Sequence, residues 1–267
     1  MLRKLLKYEF SATARVFLPV YAALIAMSVL TMLLYSGRVS AAPRVIAALV
    51  ITALFTAVIV ITVVMTLNRF WTNLLGREGY LMHVLPVRSW RLVLAKLLTM
   101  SVWTAASVIV CCAALFIIMS NAVSIRDIFS FFPGMLSEAI RYMRENEGLA
   151  QFIVMIVLLV LTAVLSLFAA ILSMYTAMSI GQLANRHRVW AALGAYIGLG
   201  VVFSFVSSYA FPGAVSLYEG FGSPATVGGI LSYVNTMLWV QLAVSAVETG
   251  ALFAATSLLL EKKLNLQ

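Results

Sequence analysis

The sequence predicts an all-α integral membrane protein: six transmembrane helices, an N-terminal interfacial amphipathic helix, and both termini cytoplasmic. Three observations carry this. First, 63% of the 267 residues are hydrophobic and only 10% charged, with a mean hydropathy of +1.05; a soluble domain needs far more polar surface. Second, the apolar residues fall into six runs, each near or beyond the length of about 20 residues that crosses about 30 Å of hydrocarbon. Third, the basic residues crowd into the segments on one side of those runs.

Residues 1–16 carry Arg3, Lys4, Lys7 and Arg15, while Leu2, Leu5, Leu6 and Phe10 recur at helical spacing. That pattern predicts a basic amphipathic helix lying in the inner interface. It does not read as a cleavable signal, because its charged region is long and no small-residue cleavage site precedes Ser36. Residues 17–35 form the first span, with Pro19 near its start, where proline costs least. A short outer turn with Gly37 and Pro43 as breakers leads to the second span, 45–67.

Residues 68–96 interrupt the apolar pattern with a dense positive charge: Arg69, Arg77, Arg88, Arg91 and Lys96 against Glu78 alone. Such a loop belongs on the cytoplasmic side. Trp71, Leu74, Leu75, Tyr80, Leu81, Met82, Val84 and Leu85 alternate with the charges at roughly helical spacing, and Pro86 marks a stop or bend. The segment should lie flat, either as an anchor between two spans or with one face free for a soluble partner.

The third span is 97–119 and holds the two cysteines, Cys111 and Cys112, adjacent and suited to packing rather than to a disulfide framework or a metal site. Residues 120–148 follow as an outer amphipathic segment with Asp127, Glu138, Glu145 and Glu147, broken at Pro133-Gly134. A structural cap or a substrate-receiving surface both fit it. The fourth span, 149–180, is a chargeless stretch long enough to be tilted or to continue into the cytoplasm. Arg186, His187 and Arg188 mark another inner loop, and 191–211 is the fifth span, with Gly194, Gly198 and Gly200 spaced for close helix contact. Residues 212–232 hold five of the fifteen glycines plus Pro212 and Pro224, and read as a re-entrant-like outer segment. The last span, 233–260, ends at Glu261, Lys262 and Lys263.

This topology puts thirteen of the eighteen basic residues inside and five outside (Arg38, Arg44, Arg126, Arg141 and Arg144). The net charge of +9 is therefore an orientation signal, and nothing in the sequence points to nucleic acid. No phosphate-loop, zinc-helix or nucleophile-turn motif occurs, and His83 and His187 lack neighbours at ligand spacing, so neither a catalytic residue nor a bound metal is expected. Glu248 is the notable ionisable group, midway along the sixth span. A carboxyl there should face the bundle interior, a polar partner or water. It could contact substrate or couple protons, or it could simply pack helices beside the small-residue stripe Ala246, Gly250 and Ala254.

Glu78-Gly79-Tyr80-Leu81, leading through Leu85-Pro86-Val87 to Lys96, resembles the membrane subunits of ABC-2-type exporters. There an acidic residue and a glycine precede an apolar run ending in proline, with a lysine at the next helix. The amphipathic start MLRKLLKYEF, the six spans and the broken segment before the last helix resemble that family over essentially the whole chain. The stretch RFWTNLLGREGYLMHVLPV is particularly similar to short permeases encoded beside separate ATPases in Gram-positive bacteria. Tyr80 departs from the threonine usual in the broader family. The resemblance implies a permease in a bacterial cytoplasmic membrane, working as a homodimer or with a related permease. A separate ATP-binding cassette subunit would bind ATP and magnesium. Arg77, Glu78, Gly79, Tyr80, Leu81, Met82, Leu85 and Pro86 would form the coupling element. The exported substrate would be a peptide, a lipid-like molecule or an amphipathic drug. Two other readings stay open: a proton-coupled secondary transporter using Glu248, and a non-transporting scaffold or sensor subunit.

Overall fold

The computed structural model describes residues 2–36, 40–72, 89–120, 148–184, 187–219 and 227–262. These form six α-helices: α1 Leu2–Ser36, α2 Ala41–Phe70, α3 Ser89–Met119, α4 Gly148–Gly181, α5 Arg188–Glu219 and α6 Val227–Lys262. All six are long and apolar enough to cross a membrane, as the sequence predicts, and the described residues include no strand. In hydrocarbon each backbone N–H and C=O must be satisfied within the chain, and a helix does this segment by segment. The chain divides into two compact units, Met1–Phe131 with α1–α3 and Phe132–Gln267 with α4–α6.

The first unit is organised around α1, which packs on both α2 and α3. Thr13, Phe17, Tyr21, Leu24, Ser28 and Thr31 are its buried stripe, three or four residues apart. On α2 the matching stripe is Ala47, Ile51, Val58, Thr62, Thr66 and Phe70. Phe17 stacks on Trp103 of α3 with centroids 5.0 Å apart and planes 7° from parallel. Residue numbers on α1 and α3 rise together across their contacts (Glu9 with Lys96, Tyr21 with Ser107), so these two helices run parallel with α2 antiparallel to them. Cys111 packs at the edge of the core formed by Phe17, Tyr21, Leu24, Ile51, Val58 and Ala114, while Cys112 is exposed.

The second unit repeats this order of pairing. Its first and third helices, α4 and α6, share its most extensive contact. They are also parallel: Asn235 meets Gln151, Ser245 meets Ser166, and Thr256 meets Thr176. Tyr175 and Leu172 of α4 and Leu252 of α6 are its large, fully buried side chains.

Two expectations change in detail. The amphipathic start is not a separate helix: α1 runs unbroken from Leu2, so Pro19 lies inside it rather than at its first turn. Packing explains this, because Phe10 lies against Trp103 with centroids 6.3 Å apart and Thr13 is fully buried, extending the stripe of the span toward the N-terminus. Of the segment read as re-entrant, 212–219 continue α5, 227–232 begin α6, and 220–226 lie outside the described residues. Of the outer amphipathic segment 120–148, residues 121–147 also lie outside them.

The glycines divide differently from their spacing. A Cβ on Gly194, Gly198, Gly200 or Gly250 would meet nothing within 4 Å. Ala246 and Ala254 are exposed as well, so neither small-residue stripe serves a close contact among the described residues. The glycine that does is Gly181, at the α4–α5 corner. A Cβ there would sit 2.6 Å from Ala192 Cβ and 2.7 Å from the Arg188 carbonyl oxygen. Backbone cannot yield as a flexible side-chain tip can. Gly181→Ala is therefore expected to destabilise the protein by about 1–3 kcal/mol, whereas Gly198→Ala should cost nothing and gain up to about 1 kcal/mol of helix propensity. Thermal unfolding of both variants in nanodiscs checks the contrast; equal midpoints would mean that the corner is loose.

Candidate functional site

All eight residues expected to form the coupling element, from Arg77 to Pro86, lie outside the described residues, but both flanks of their segment are described. On one flank, just past the end of α2, the Trp71 N–H is shared between the carbonyls of Leu67 and Asn68. The Thr72 hydroxyl donates to Asn68 Oδ1 at 2.9 Å. On the other flank α3 begins at Ser89, and the Arg91 guanidinium sits 5.2 Å from the Trp90 ring centroid.

What joins the flanks is a carboxylate from α1. Lys96 Nζ donates to Glu9 Oε1 at 2.9 Å, and Arg69 Nη1 lies 3.9 Å from Glu9 Oε2. The Lys96 side chain is only 5% exposed and that of Glu9 12%, so this pair is largely desolvated; Arg69, at 25%, is wetter. Taking an ammonium out of water is costly unless an anion and further polar groups receive it. Glu9 thus determines where the first turns of α3 can sit, and with Arg69 it gathers the basic ends of three helices at the root of segment 68–96.

Sequence reasoning passed over Glu9, which is 87 positions from Lys96. A signal was present: Glu9, Thr13, Phe17 and Tyr21 are spaced by four, which puts the lone acid of the basic N-terminal stretch on the buried stripe.

Deeper in the same unit a chain of hydroxyls crosses all three helices. Tyr21 Oη lies 2.6 Å from Ser107 Oγ and donates to the Trp103 carbonyl at 3.1 Å, and Ser107 Oγ lies 3.0 Å from Thr62 Oγ1. In an apolar solvent such contacts fix helix register, because a slip would strand a polar group.

Glu248 is half-buried on α6, one turn beyond Ser245, and makes no hydrogen bond or ion pair among the described residues. Its helix faces α4 through a polar ladder: Ser245 with Ser166 at 3.3 Å, the Thr249 hydroxyl donating to the Leu165 carbonyl at 3.1 Å, and Thr176 with Thr256 at 2.8 Å. Glu248 and the Glu9 cluster belong to different units. Among the described residues no three His, Cys, Asp or Glu side chains gather as a metal site would require.

The ion pair yields a double-mutant prediction. Glu9→Gln removes the carboxylate 2.9 Å from a buried ammonium and should cost about 3–5 kcal/mol. Adding Lys96→Met should restore much of that loss, so the two substitutions are strongly non-additive. Thermal unfolding of the two single variants and the double variant in nanodiscs measures this; losses that simply sum would show that the two groups do not act as a pair.

The chain matches no protein-family model, no curated protein and no solved structure, so its function is argued from this geometry and from the sequence.

Proposed function

We propose that this chain is the membrane subunit of an ATP-binding cassette exporter of the ABC-2 type. In this reading segment 68–96 receives movement from a separate ATPase subunit and passes it to α1–α3. The single observation that carries the proposal is the Glu9 cluster, because it links both flanks of the segment to α1. A loop that only connected two spans would not need its flanks tied to a third helix by a desolvated ion pair. The sequence motif from Glu78 to Pro86 and the basic charge of the segment support the same reading. ATP and magnesium would be held by the partner, since this chain carries no phosphate-loop motif. The exporter would work as a dimer, and the open small-residue faces of α5 and α6 are available for a second permease chain.

The basic end would face the cytoplasm, with Tyr80 and Leu81 inserted in a groove of the ATPase. Leu81→Ala then removes buried contact worth roughly 1.5–3 kcal/mol, which weakens association about ten- to a hundredfold. Glu78→Lys should impair coupling as well. Copurification with the ATPase, basal hydrolysis and substrate-stimulated hydrolysis are the measurements. Wild-type values for all three in both variants would reduce segment 68–96 to an anchor. Transport that survives loss of the ATPase and collapses with the proton gradient would favour a secondary transporter instead.

A further inference from the structure

In unit 2 the α4–α6 seam carries a polar cluster at the depth where a membrane helix is least tolerant of one. Ser166 and Ser245 stand within one residue of the midpoints of the 33-residue spans Leu149–Gly181 and Gly229–Glu261. Their hydroxyl oxygens are 3.3 Å apart, and Gln241 Nε2 donates to Ser245 Oγ at 3.3 Å. Glu248 follows Ser245 by one turn on the shoulder of this seam. Among the described residues it is the one acidic residue placed well inside a span; Glu9, Glu219 and Glu261 stand near helix ends.

Thr162 shows that the cluster is incomplete. It lies one turn before Ser166 on the same face of α4 and is 7% exposed, yet its Oγ1 makes no hydrogen bond. Buried threonines in this protein bond the carbonyl four residues back, as Thr62, Thr66, Thr99, Thr176 and Thr256 do. Thr162 alone among the described threonines makes neither that bond nor any other. A buried hydroxyl without a partner is costly, and a ligand group is one way to satisfy it.

We propose that Thr162, Ser166, Gln241, Ser245 and Glu248 form an intramembrane site for the protonated amino group of an amphipathic molecule. This deepens the exporter reading, on which it rests only for the claim that the bound molecule is exported. The chemistry selects the class. Hydroxyl oxygens, an amide oxygen and a carboxyl are acceptors, and an ammonium group offers three donors and a positive charge. A sulfate or phosphate head would meet Glu248 unfavourably, and an alcohol would have no use for its charge. Beside Glu248, α6 presents an exposed apolar arc that includes Trp239, Val247 and Leu258, along which an alkyl tail can lie in the lipid.

The test uses the permease alone in phosphatidylcholine nanodiscs and two photoactivatable twelve-carbon probes, one ending in a primary amine and one in an alcohol. Cross-linked residues are mapped by mass spectrometry. The amine should label residues 158–169 and 239–252 at least tenfold more than the alcohol does. Glu248→Gln should bring the amine down to the alcohol level, and Thr162→Val should lower it severalfold. Thermal unfolding of each variant establishes that it is folded. Equal labelling by the two probes, or amine labelling that persists in both variants, overturns the site. Because no ATPase is present, a labelled site with no ATP-driven export would sink the exporter reading and leave the site standing.

Discussion

The pairing of first and third helices through polar side chains is the constraint on which each three-helix unit depends. Lipid is as apolar as leucine, so helices in a bilayer gain little by burying leucine against one another. Shape and hydrogen bonds must hold them. In the first unit this role falls to the Glu9–Lys96 pair, the Phe17–Trp103 stack and the Tyr21–Ser107–Thr62 chain. In the second it falls to the α4–α6 ladder from Asn235 to Thr256. Individual contacts of this kind average about 0.6 kcal/mol, so several spaced along one seam are needed to keep two parallel helices in register. The ion pair differs in kind, because removing one partner leaves a desolvated charge.

The two units use their polar groups for different ends. In the first, charge is gathered at the helix ends that flank a basic segment, and the Tyr21–Ser107 contact lies near mid-span. In the second, uncharged polar contacts run along the α4–α6 seam from Asn235 to Thr256, with no ion pair among the described residues. Between the seams the helices turn large apolar side chains outward. No residue of the α5 window Arg188–Tyr209 is fully buried, and Phe205 and Tyr209 are among its exposed aromatics. A division between an end that receives work and an interior that meets cargo is what the exporter reading requires.

Much of the fold was legible because hydrophobic length is a strong, local signal. Each of the six apolar runs lies within one of the six helices, and the helices extend beyond them because a helix does not stop where hydrophobicity does. The joining of the amphipathic start to the first span was not legible, since it rests on Phe10 and Thr13 meeting α3. The glycines misled for a related reason: spacing shows which face is small, not whether a neighbour lies against it. Gly181, with no partner glycine one turn away, turned out to be the close approach. Of the candidate site, the basic segment and Glu248 could be read directly from charge in apolar surroundings. Glu9 carries only its four-residue spacing from Thr13 as a signal; its partner 87 positions away is not legible, nor is Thr162, which depends on a hydrogen bond that is not made.

For segment 68–96 to meet an ATPase, the end bearing Glu9, Arg69 and Lys96 must face the side where ATP is. The direct measurement is cysteine labelling of intact cells with a membrane-impermeant maleimide, in a background with Cys111 and Cys112 replaced by alanine. Single cysteines at Ser36, Glu145 and Glu219 should label in intact cells, while those at Gly76 and Asn185 should label only after permeabilisation. Labelling of Gly76 in intact cells would place the basic segment outside, away from any ATPase, and the account would be contradicted at its root.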